Sequence, residues 1–101
     1  MGDIKKELKG VDSKIWQMRD HVRKSQEYPL ENGLAKRWAK ENGQFAKDAA
    51  ASLAGLNDHE GVRAAREELT AAQSEIIAAL EDYAIRCGED VVDIRRYFPE
   101  S

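Results

Sequence analysis

Two histidines and one cysteine are the residues best suited to chemistry in this sequence: His21, His59 and Cys87. A histidine acts as base or ligand when a second donor stands one helical turn away, three or four positions off. Neither has one: the acids beside them, Asp20, Asp58 and Glu60, are adjacent in sequence and project elsewhere on a helix. There is no Glu-x-x-His pair of the di-iron kind and no His-Glu-x-x-His zinc motif. Both histidines therefore read as solvated surface residues, and no metal or cofactor is expected. Cys87 lies on an apolar stripe without a nearby histidine or basic cluster, which describes a packing thiol rather than a thiolate nucleophile. Neither Gly-x-Gly-x-x-Gly nor a Gly-Lys-Ser/Thr loop occurs, so nucleotide chemistry has no cradle. No catalytic residue is expected, and we read the chain as a non-enzyme.

Binding residues are a second possibility to weigh. Lys36, Arg37 and Lys40 surround Trp38, an arrangement compatible with stacking on nucleic acid. Trp38 fits an apolar seam, however, and the net charge is −3, so nucleic acid is not the expected partner. Trp16 is more informative: it follows the seam residue Ile15 and points to the flank of the buried face. An aromatic there can widen the core or anchor a protein partner. Trp16, Met18 and Tyr28, the small-residue surface around Ala49, and the aromatic pair Tyr97-Phe98 are the candidate partner-binding residues. Tyr97-Phe98 also has a structural use, stapling the tail to the body.

The elements that must carry these residues are helices. Ile4, Leu8, Val11, Ile15, Met18 and Val22 are spaced 4, 3, 4, 3, 4, which predicts a helix over 3–27 ending before Pro29. A second is predicted over 31–54 on Ala35, Trp38, Asn42, Phe45, Ala49, Ser52 and Leu56, widened by Leu34 and Leu53. Asn42 there reads as a rim position or a register-setting polar residue, and Gly43 as a site of kinking. If Ser52 is not buried, Leu53 takes its place in the core. Gly55 suits a left-handed helix end. Asn57 with Glu60 three positions on resembles a capping box, so the third helix is predicted over 58–87. That helix holds two overlapping seams, one from Val62 to Tyr83 and one running Ile77, Leu80, Ala84, Cys87, Val91, Ile94, Phe98. The second seam keeps its 3–4 spacing across Gly88. The helix therefore either continues to Phe98 or breaks at Gly88 with a short fourth helix over 90–98.

The expected fold is all-α: a single domain of 101 residues forming an antiparallel bundle of three long amphipathic helices, with that short fourth as the alternative end. A dimer of helical hairpins would show similar stripes. The charge is uneven, +3 over residues 1–48 and −6 over 49–101, so the halves can pair within one chain or between copies. No stretch approaches the roughly 20 apolar residues of a membrane span, and Met1-Gly2-Asp3-Ile4-Lys5-Lys6 has neither a secretory apolar run nor the myristoylation pattern. A cytoplasmic location is expected, or a host cytoplasm for a phage-encoded protein. The function expected is a protein–protein interaction or assembly module, in the manner of small bacterial or phage accessory or inhibitor-type proteins. Its partner would be another protein or a second copy.

The alternative function is a secreted protein of the helical-hairpin kind. Trp38 and Gly43 in the middle of a helical chain of this length are similar in size and helicity to the secreted WXG100 helical hairpins. The Trp-x-Gly turn is absent, and Tyr83 is followed four residues on by Cys87 instead of an acid, so no motif of that family is present.

Overall fold

The computed structural model describes residues 4–56 and 60–99, with Glu60 in backbone only. Asp3, the Asn57–Asp58 cap and His59 lie outside the described residues. Three helices follow in order, α1 (Ile4–Glu27), α2 (Leu34–Ala54) and α3 (Glu60–Arg86), then a single 3₁₀ turn at Arg95–Tyr97. Each helix packs on both others, and the 3₁₀ turn packs on α2. The molecule is an all-α bundle, 48 × 23 × 17 Å, about one helix long. No described helix is long and apolar enough to cross a membrane.

The apolar stripes of the sequence become the core. From α1 come Val11, Ile15 and Met18, from α3 Val62, Leu69, Ala72, Ile76, Leu80 and Tyr83. α2 contributes chiefly small residues, Ala35, Ala39, Ala46 and Ala49, together with Trp38 and Leu53. Small side chains let α2 approach its neighbours closely. Of the alanine surface expected to meet a partner, Ala46 and Ala49 are consumed inside the chain, Ala49 at 0 % exposed, while Ala51 and Ala54 stay exposed. Leu53 is buried while Ser52 is only half-buried, so Leu53 holds the core position.

Several boundaries differ from expectation for local reasons. α2 begins at Leu34, three residues late, because Gly33 adopts φ 85°, a left-handed geometry that cannot belong to the helix. Gly55 ends α2 with φ −82°, right-handed, so the left-handed end expected there does not form. α2 runs unbroken through Gly43. At Gly88 the chain does turn, with φ 74°. The Gly88 amide donates to Ile85 O (2.9 Å) and the Glu89 amide to Ala84 O (2.8 Å), the paired bonds of a Schellman end. Beyond it, residues 89–99 fold back between α2 and α3 as a strap whose only helical element is the 3₁₀ turn, in place of a fourth helix over 90–98.

Gly43 explains how the strap fits. A Cβ on this residue would stand 2.1 Å from the carbonyl oxygen of Tyr97 and 2.7 Å from its carbon. Only glycine admits that backbone-on-helix approach. Ile94 and Phe98 are the strap's own buried side chains, and Gln73 Nε2 donates to Pro99 O at 2.7 Å.

Candidate interaction site

The clearest surface feature lies on α1. Lys5, Lys9, Asp12, Trp16, Arg19 and Arg23 are spaced 4, 3, 4, 3, 4, a second stripe beside the buried one. Trp16 is its single apolar member and is 67 % exposed. A groove runs between α1 and the first half of α3, floored by Leu8, Val11, Ile15, Ala64 and Ala65, so that Ile15 beside Trp16 in the helix belongs to it. Gly61, Ala64 and Ala65 leave it open because they carry little or no side chain. Lys5, Lys9, Asp12 and Glu68 line its edges. Arg19 pairs with the edge residue Glu68, its guanidinium 3.8 Å from Glu68 and 3.5 Å from Glu75 on α3. These pairs are exposed, so they orient side chains more than they stabilise the fold.

The other large exposed apolar side chains, Tyr28, Leu30, Ile85 and Val92, belong to the far end of the bundle, where α1 turns into α2 and α3 ends. An aromatic and polar cluster braces that end. The Trp38 ring lies 5.5 Å from His21, 5.7 Å from Tyr28 and 5.7 Å from Tyr83. The Tyr83 hydroxyl donates to Pro29 O (2.7 Å) and accepts from the Glu31 amide (2.8 Å), tying the α1–α2 corner to α3. Arg86 lies 5.4 Å from the Tyr83 ring centre and donates to Ser25 O (3.0 Å) in the last turn of α1, where carbonyls lack helical partners. The Glu89 carboxylate accepts from the Gly33 amide (3.0 Å), placing a negative charge at the start of α2.

Within this cluster Asn42 is 0 % exposed. Its Nδ2 donates to Trp38 O at 2.8 Å, so its Oδ1 accepts, and His21 Nδ1, 3.2 Å away, carries the proton. His21 is not where the sequence placed it, being buried instead of solvated, and of the two alternatives for Asn42 the interior one holds and the rim one does not. The sequence signal was present, since His21 falls one position before the half-buried Val22 and three after Met18, next to the buried face. Among the described residues no carboxylate hydrogen-bonds His21, and the cluster braces the α1–α2 corner. Cys87 is half-buried at the same corner, its Sγ 3.8 Å from Glu31 O. Among the described residues no three of His, Cys, Asp and Glu converge as a metal site.

The candidate partner residues thus separate. Trp16 and Tyr28 are exposed, whereas Met18 and Ala49 are enclosed in the core and Phe98 is a buried side chain of the strap itself. Tyr97 is half-buried, with its backbone against Gly43. Met18, Ala49 and Phe98 are inaccessible in the folded bundle, which leaves Trp16 and Tyr28 as the exposed members of the candidate set. Comparison with family models, with curated proteins and with solved structures found no match.

Proposed function

We infer that this chain is a non-enzymatic protein–protein interaction or assembly module, an accessory protein that works by helix-face packing on another protein or a second copy. The observation that carries this reading is Trp16. It is 67 % exposed on a helix whose own buried stripe is complete without it, and its helix neighbours Asp12 and Ile15 line an apolar groove. Leaving a tryptophan in water forfeits a large burial energy, and tryptophan is the residue type most enriched among interface anchors. An amphipathic helix laid along the α1/α3 groove would cover the floor of Leu8, Ile15 and Ala65 and bury one face of the indole.

Trp16→Ala tests the proposal. As an exposed substitution it should leave helicity intact and shift stability by no more than about 0.5 kcal/mol. Self-association by light scattering, or affinity for a partner, should weaken by roughly 30-fold, the loss of a hot-spot side chain worth about 2 kcal/mol. Unfolding of the variant would mean that Trp16 is a core residue. Unchanged association would move the interface elsewhere.

A further inference from the structure

The groove between α2 and α3 is filled by the chain's own strap, residues 89–99, and three observations bear on that arrangement. One left-handed glycine, Gly88, turns the chain back. Across that glycine, Ile77, Leu80, Ala84, Cys87, Val91, Ile94 and Phe98 keep the 3–4 spacing of one uninterrupted helix, a register that the folded strap does not use. The groove, moreover, is shaped for the strap's backbone: Gly43 gives up a side chain in mid-helix where Tyr97 O crosses. The hinge therefore has two locally compatible geometries, turned back or straight as a continuation of α3.

We propose that the strap is exchangeable, and that the α2/α3 groove binds the same strap from a second copy of this chain. With Gly88 straight, α3 points the eleven strap residues away from the bundle, out of reach of their own groove. A helical extension of that length would span about 16 Å. The groove of a second copy then offers the identical seats: the cleft over Gly43, the apolar sites of Ile94 and Phe98, and Glu81 facing Arg95 (3.3 Å). The second copy is the occupant that fits because each of these features is complementary to this segment. The contacts within the groove are the same whichever chain supplies the strap, so exchange turns on the hinge and on concentration. This exchange does not depend on the Trp16 surface.

The Arg95–Glu81 pair makes the exchange testable in the full-length chain. Glu81→Arg and Arg95→Glu each put like charges into their own groove, on exposed or half-exposed side chains whose change does not threaten the fold. An exchanged pair of the two variants restores both opposite-charge contacts. When the variants are mixed, unfolded and refolded together at high concentration and low salt, native mass spectrometry should find the mixed dimer about tenfold above either homodimer. Adding Gly43→Ala to both chains should abolish it. Monomers throughout, dimers without preference for the mixed pair, or a mixed dimer that survives Gly43→Ala would each overturn the proposal. Gly88→Ala gives a second reading. Alanine disfavours the left-handed turn and favours a straight hinge, so the dimer fraction should rise severalfold. A Gly88→Ala chain that stays monomeric, with Arg95 and Arg96 still protected from trypsin, would refute it.

Discussion

Replacing Gly43 by alanine should destabilise this protein, against the usual rule for a glycine inside a helix. At an unobstructed helical position the change stabilises by about 1 kcal/mol, because glycine loses more backbone freedom on folding. Gly43 is obstructed. Its new Cβ would lie 2.1 Å from Tyr97 O and 2.7 Å from Tyr97 C, both backbone atoms that no rotamer change can move. The strap must lift, and with it Ile94 and Phe98, now 2 % and 5 % exposed. Burial of such side chains is worth about 1.5–3 kcal/mol each. Setting their loss against the helical gain leaves a net destabilisation of roughly 2–5 kcal/mol. Urea denaturation followed by circular dichroism measures the total, and limited trypsin digestion at Arg95 and Arg96 reports strap release separately. Gly10→Ala is the internal control: nothing lies within 4 Å of a Cβ there, so it should stabilise α1 by about 0.5–1 kcal/mol. If Gly43→Ala stabilises as Gly10→Ala does, with trypsin resistance retained, the close approach of the strap to α2 is refuted.

Three other perturbations probe the brace at the far end and the charges on α1. Tyr83→Phe keeps the ring and removes the hydroxyl that serves Pro29 O and the Glu31 amide, at a cost of about 1–3 kcal/mol. Amide exchange at Glu31 should accelerate, and an unaltered rate would show that the hydroxyl does not pin the corner. Asn42→Ala leaves the His21 Nδ1–H without its acceptor and opens a small cavity, costing about 2–4 kcal/mol. A double-mutant cycle with His21→Ala should return a coupling of about 1 kcal/mol, and additive losses would mean that the two side chains act independently. Asp20 is held below its ordinary carboxylate pKa of 3.8, first by the hydrogen bond from Arg23 and then by Lys24, against an opposing effect of burial. A carboxyl depressed on folding contributes stability above its unfolded pKa and loses it as pH falls through the folded value. Stability should therefore decline on acidification below about pH 4, and Asp20→Asn should flatten that part of the profile. A profile identical to that of the parent chain would remove Asp20 from the account.

The exposed groove and the polar cluster differ in how far they could be read from residue order. The flank position of Trp16 follows from its place one residue beyond Ile15, because helical periodicity fixes direction locally. Its groove does not follow, since it depends on which residues of α3 lie opposite, and those happen to be Gly61, Ala64 and Ala65. Met18 shows the converse. Its seam spacing marked it as apolar, and only the packing of α2 and α3 against α1 showed that nothing of it remains for a partner.

By itself the sequence determined three amphipathic helices, the stops near Pro29 and after Ala54, and the all-α class, because the 3–4 spacing of apolar residues and the conformational limits of proline and glycine act within a few residues. It left open what each glycine and each polar seam residue does. Glu-Asn-Gly occurs twice, at 31–33 and at 41–43. The first copy forms a turn, with Gly33 left-handed and its amide on the carboxylate of Glu89. The second lies within an unbroken helix, with Asn42 bonded to His21 and Gly43 beneath Tyr97. The local sequence is the same and the partners are not. Tertiary structure decided between turn and helix because residues 21, 89 and 97, distant in the chain, supply the hydrogen bonds and the backbone contact that separate the two outcomes.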